Sequence, residues 1–79
     1  MKLKFKNENG EWQYTEITEL YVSPSGEEWA VFAKHYGFDD AMKVFSSKSK
    51  DEATAVFHSI VTNSEYGIVT IYENGEVVI

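Results

Sequence analysis

Seventy-nine residues, 43% of them apolar and 15% aromatic, are enough for one globular domain spanning residues 1–79 and are unlike the composition of a disordered chain. The absence of cysteine excludes disulfides, thiolate metal sites and thiol nucleophiles. A net charge of −6, with seven lysines and no arginine, argues against a nucleic-acid partner. Neutralising phosphates needs positive charge, and bidentate contact with phosphate or guanine is best made by arginine.

The first stretch, "MKLKFKNENG", lacks the apolar run of a signal peptide. No later stretch reaches the ~18 apolar residues of a membrane helix, so a soluble cytoplasmic protein is expected. The segment "KLKFKNENGEWQY" then predicts a β-hairpin. With Asn9-Gly10 as a two-residue turn, Asn7 faces Trp12, Lys6 faces Gln13 and Phe5 faces Tyr14. That register gathers Leu3, Phe5, Trp12 and Tyr14 on a core face and sends Lys2, Lys4, Lys6, Gln13 and Thr15 to the other. The second strand continues through "TEITELYVS", with Glu16 and Thr18 marking a bend or bulge where it leaves one neighbour for the next. "SPSG" has turn chemistry. With Ser23 to Gly26 as the loop, "EEWAVFAKH" pairs as a third strand in which Leu20 faces Trp29. Trp29 and Val31 join the core face, and Ile17, Tyr21, Ala30 and Phe32 gather on the reverse.

"YGFDD" predicts a turn and "AMKVFSS" a short fourth strand. Ser49-Lys50-Asp51-Glu52 has capping-box spacing, and Ala53, Val56, Phe57, Ile60 and Val61 follow as one apolar helical stripe that fades near Asn63 or Ser64. "IVTIYENGEVVI" predicts a closing hairpin around the second Asn-Gly, with Tyr72 facing Val77, Ile71 facing Val78, and apolar residues on both faces. The expected fold is α+β: an antiparallel sheet of five to six strands, in the order β-β-β-β-α-β-β, with one helix packed on one face.

No motif carries catalysis. His58 lies off the helical stripe without a carboxylate at ligand spacing, and Asp39 and Asp40 near His35 are read as shaping a solvated turn. The glutamates flanking each Asn-Gly supply neither the oxygens nor the spacing of a calcium loop, and no glycine-rich phosphate cradle is present. Neither cofactor nor metal is expected. The remaining signal is apolar surface in excess of what one helix covers. Ile17, Tyr21, Phe32, Val77 and Ile79 are therefore the candidate partner-binding residues, covered either by the C-terminal hairpin or, as preferred here, by a second chain, most simply a second copy. The expected function is a small acidic, non-enzymatic protein-interaction module acting through an apolar sheet face or strand edge, without nucleic acid or membrane. Its acidic balance would steer a basic partner towards it. The alternative is a small-molecule binder or enzyme with a pocket between helix and sheet, using Trp12, Tyr14 or His35.

Overall fold

The computed structural model describes every residue of the chain except Phe38, so the turn expected at "YGFDD" lies partly outside the described residues. Strand β1 (Lys2–Lys6) and the long strand β2 (Trp12–Ser25) form the first hairpin. Its connection is not a two-residue turn. The Gly10 N–H donates to the Asn7 carbonyl at 3.0 Å and the Asn7 N–H donates to the Glu11 carbonyl at 2.8 Å. Gly10 has φ 79°, so Glu8, Asn9 and Gly10 form a three-residue loop closed by a left-handed residue, a conformation glycine adopts without steric cost. Asn7 holds this loop from outside, because its Oδ1 accepts from the N–H groups of Asn9 and Glu11, both at 3.0 Å.

The extra loop residue changes the register. Lys6 now faces Trp12, Phe5 faces Gln13, Lys4 faces Tyr14 and Leu3 faces Thr15. A slip of one residue carries every side chain of a strand to the opposite face. Leu3 and Phe5 remain in the core, but Trp12 and Tyr14 stand outside with the lysines, which corrects their expected core placement. The second Asn-Gly does the same thing between β5 (Ile68–Ile71) and β6 (Val77–Val78). There the Gly75 N–H donates to the Tyr72 carbonyl at 3.0 Å, and the Tyr72 N–H donates to the Glu76 carbonyl at 2.9 Å. Ile71 pairs with Val77 and Thr70 with Val78, again one residue from the expected register.

Strand β3 (Glu28–His35) returns from β2 through a tight loop at Gly26-Glu27, with Gly26 at φ 61° and Ser25 opposite Glu28. Leu20 therefore faces Ala33 rather than Trp29. This shift is even, so Val31 stays on the core face as expected, while Trp29 sits half-buried at its margin with Lys50 Nζ 4.9 Å from its ring centre. The anticipated irregularity is present: register shifts between Ile17 opposite His35 and Glu19 opposite Lys34, leaving Thr18 as the extra residue of a bulge. β2 pairs with β1 up to Glu16 and with β3 from Ile17 onwards, so the bulge lies where the strand changes neighbours. Ile17, expected on the reverse face, is buried in the core because it keeps the parity of Gln13 and Thr15 opposite Phe5 and Leu3. The bulge then inverts the alternation, so Leu20 and Val22 pack against the core as well.

Strand β4 (Ala41–Ser47) precedes helix α1 (Lys50–Asn63). Ser49 Oγ accepts from the Glu52 N–H at 3.2 Å, as the capping box requires, while the Ser49 N–H is taken by Ser47 Oγ at 3.0 Å instead of the Glu52 carboxylate. Ser49→Ala removes the cap and should cost about 1 kcal/mol, read as a lower urea midpoint at unchanged slope. Ala53, Val56 and Ile60 deliver the buried stripe, Phe57 packs at its margin and Val61 is exposed.

The six strands lie in the order β4-β3-β2-β1-β5-β6. All neighbours are antiparallel except β1 and β5, which run parallel with Leu3 opposite Val69. The fold is α+β, with one helix on a mostly antiparallel sheet. The sheet bends strongly around its inner face. Gln13 of β2 reaches Met42 of β4 across β3, Nε2 to Sδ 3.3 Å, and the turn at Gly75 comes up against the Phe45 ring and Val56 of the helix. One helix is enough to close this core because the sheet curls towards it. Leu3, Phe5, Ile17, Val31, Phe45, Val69 and Ile71 pack there with Ala53, Val56 and Ile60.

Candidate functional site

The outer face of the half-sheet formed by β1, β5, β6 and the first part of β2 carries the molecule's most concentrated apolar exposure. Three rows cross it, fixed by strand pairing. Glu16, Lys2 and Ile68 make the first, and Tyr14, Lys4, Thr70 and Val78 the second. Trp12 and Lys6 begin the third, which Tyr72 completes through an edge-to-face contact with Trp12, ring centres 5.6 Å apart at 82°. Trp12 is 44% exposed, Tyr14 54%, Ile68 44%, Tyr72 41% and Val78 38%.

A line of lysines runs through the middle of this surface. Lys4 Nζ stands 5.5 Å and Lys6 Nζ 5.8 Å from the Trp12 ring centre, and Lys6 also approaches Glu73 at 3.8 Å. Such cation–π contacts contribute about 0.5–1 kcal/mol at exposed sites, and the edge-to-face pair a comparable amount. They gather Trp12, Tyr72 and the two ammonium groups while leaving the rings open to solvent. Beside them a cleft of about 270 Å³ is lined by Lys6, Trp12, Tyr72, Glu73 and Asn74.

The five residues singled out from the sequence are not brought together. Ile17 is 5% exposed inside the core, so it has no surface to offer a partner. Tyr21 and Phe32 do meet, as half-buried rings stacked at 5.6 Å and 23° on the outside of the β2–β3 pair. Val77 packs against the core from β6 and Ile79 is exposed beyond it, on the far side of β1 and β5. The C-terminal hairpin therefore extends the sheet at its edge and does not fold over Tyr21 and Phe32.

The remaining candidates for chemistry lie apart. His35 Nδ1 is 2.7 Å from Thr15 Oγ1, and His58 is exposed on α1 with its ring against Phe57. No group of three or more histidine, aspartate or glutamate side chains able to hold a metal ion occurs among the described residues. Trp12 and Tyr14 face away from the helix, so the pocket envisaged between helix and sheet does not include them.

Comparison with protein-family models, curated proteins and solved structures finds no match to this chain. The functional reading rests on its surface. Sequence reasoning missed this site because aligning Leu3 and Phe5 with Trp12 and Tyr14 gives a tidy apolar face. The signal against that register is Asn7. An asparagine just before "ENG" can cap the loop through its side chain, and the loop then lengthens by one residue. No helix among the described residues is long and apolar enough to cross a membrane.

Proposed function

We propose that this chain is a non-enzymatic interaction module that docks a protein partner on the outer face of β1, β2, β5 and β6. One observation carries the reading. Of the nine large hydrophobic side chains exposed among the described residues, Trp12, Tyr14, Ile68, Tyr72 and Val78 share this one face. Scattered apolar residues on a surface need no explanation, but a contiguous cluster with aromatic anchors has the composition of a binding surface. Tryptophan and tyrosine also dominate binding energy where they occur at interfaces. Here both are already oriented by the sheet, so little conformational freedom is lost on docking.

The test is selection of peptide binders from a random display library against the intact protein. Binders should lose about tenfold or more in affinity on Trp12→Ala, the cost of one hot-spot residue, and be unaffected by Phe32→Ser on the other half-sheet. Binders indifferent to Trp12 and Tyr14, or a library that yields none, would remove the reading.

A further inference from the structure

We infer that the partner segment received by this face is acidic and extended, with carboxylates at alternate positions. The inference rests on the docking role of the face and adds the chemistry of what docks there. It reverses the expectation from overall composition. Lys2, Lys4 and Lys6, three of the seven lysines, stand on this face with Glu16 and, at its margin against Lys6, Glu73, two of thirteen carboxylates. A protein of net charge −6 thus carries about +1 here and about −7 over the rest of its surface.

Spacing sets the form of the ligand. Lys2, Lys4 and Lys6 alternate along one strand, so their Cα atoms repeat at about 6.6–6.8 Å and the row is about 13 Å long. An extended peptide presents alternate side chains with the same repeat, and strands packed face to face stay within about 30° of alignment. Carboxylates at positions i, i+2 and i+4 of such a peptide therefore match the lysine row. An apolar or aromatic side chain at its flank reaches Trp12 and Tyr14. Lys2 and Lys4 have no carboxylate within ion-pair distance among the described residues, so their ammonium groups are available to a ligand.

Two other occupants fit less well. A second copy meeting this face with its own would set the lysine rows against each other, whereas meeting it with an acidic surface would be a heterologous contact that does not close on itself. Single-stranded nucleic acid would stack on Trp12, Tyr14 and Tyr72. Beyond the end of the row at Lys6, however, it would run over Glu8, Glu11 and Glu73, and no arginine is present to grip its phosphates. A short acidic segment stays within the basic row.

The experiment titrates the intact protein, carrying Trp29→Phe so that Trp12 is the only indole, and follows its fluorescence. Three probes of matched length are compared: a peptide alternating glutamate with tyrosine or valine, the same peptide with lysine for glutamate, and oligothymidylate. The glutamate peptide should bind, weaken with added salt, and lose roughly two- to tenfold in affinity on Lys4→Glu, while the lysine peptide binds more weakly. Thermal melts confirm that Lys4→Glu stays folded, and Lys48→Glu, outside the face, should change binding by much less. Preference for the lysine peptide overturns the inference, as does tighter binding of oligothymidylate. If library-selected neutral or basic peptides need Trp12 and the glutamate peptide does not bind, the acidic assignment fails while the docking face stands. Loss of Trp12 dependence for every ligand removes both.

Discussion

Ile17→Asp should abolish cooperative unfolding near neutral pH, while Tyr14→Asp retains it. The two positions are three residues apart on one strand, and the contrast depends on which face each occupies. Ile17 is enclosed by the core, so the substitution forfeits its apolar burial, about 1.5–3 kcal/mol, and forces a carboxylate among apolar side chains, at a cost of several kcal/mol more. At roughly 0.05–0.15 kcal/mol per residue, 79 residues carry about 4–12 kcal/mol of stability in all, so the loss is comparable to the whole. Tyr14 is more than half exposed opposite Lys4, where a carboxylate remains hydrated and gains a nearby ammonium. Far-ultraviolet circular dichroism through a urea titration distinguishes the two. If Tyr14→Asp unfolds the protein and Ile17→Asp does not, the two-residue turn register is correct and the outer face described above is the core.

The second large effect is at Phe5. Phe5→Ala should lower stability by about 3–5 kcal/mol, because truncating a buried aromatic ring loses its transfer energy and leaves a cavity that neighbours fill only in part. Phe5 lies on β1, between β2 and β5, opposite Gln13 on one side and Ile71 on the other, so strand pairing on both sides holds its backbone in place. The urea midpoint reports the loss if the slope is unchanged. A loss below about 1 kcal/mol would mean that the ring is not enclosed, since that is the range of surface positions. Trp12→Ala, which removes a larger ring, should cost less stability than Phe5→Ala, because Trp12 gives up only partial burial and exposed contacts with Lys4, Lys6 and Tyr72.

Much of the architecture is legible from local pattern. Helix α1 is recoverable because its cap, its apolar stripe and its fading end near Asn63 are all encoded within about fifteen consecutive residues. Strand β4 coincides with "AMKVFSS", and the bend near Thr18 is visible as two polar residues breaking an alternation. The outer face is not legible in the same way. Its lysines and aromatics can be sorted correctly only if the register of the first hairpin is known, and the two loop lengths consistent with "NENGE" give opposite answers for Trp12 and Tyr14. Apolar alignment favours one, and the hydrogen bonds from Asn9 and Glu11 to Asn7 Oδ1 accompany the other.

Ile17 shows the same ambiguity from the opposite side. Alternation counted from Trp12 and Tyr14 as core residues sends it outwards, and the observed hairpin register, with Gln13 and Thr15 opposite Phe5 and Leu3, brings it in; the bulge at Thr18 then keeps Leu20 and Val22 on the same side. A bulge does not alter composition or length, so its position shows only in which residues find partners on the neighbouring strands. The cover expected over the reverse face fails for a related reason. It assumes a flat sheet with two sides to hide, whereas the observed sheet curls until β4 and the β5–β6 turn meet near α1.

The amino-acid sequence by itself determined the element types and their order, the capped helix, and the exclusion of thiol chemistry, because each depends on residues that are neighbours in the chain. Tertiary structure alone decided which half of each strand looks inwards, that β5 lies parallel beside β1, and that the lysines share a surface with the aromatics. Those outcomes depend on pairing between distant segments, where one additional residue in a loop or bulge reverses a face at little local cost.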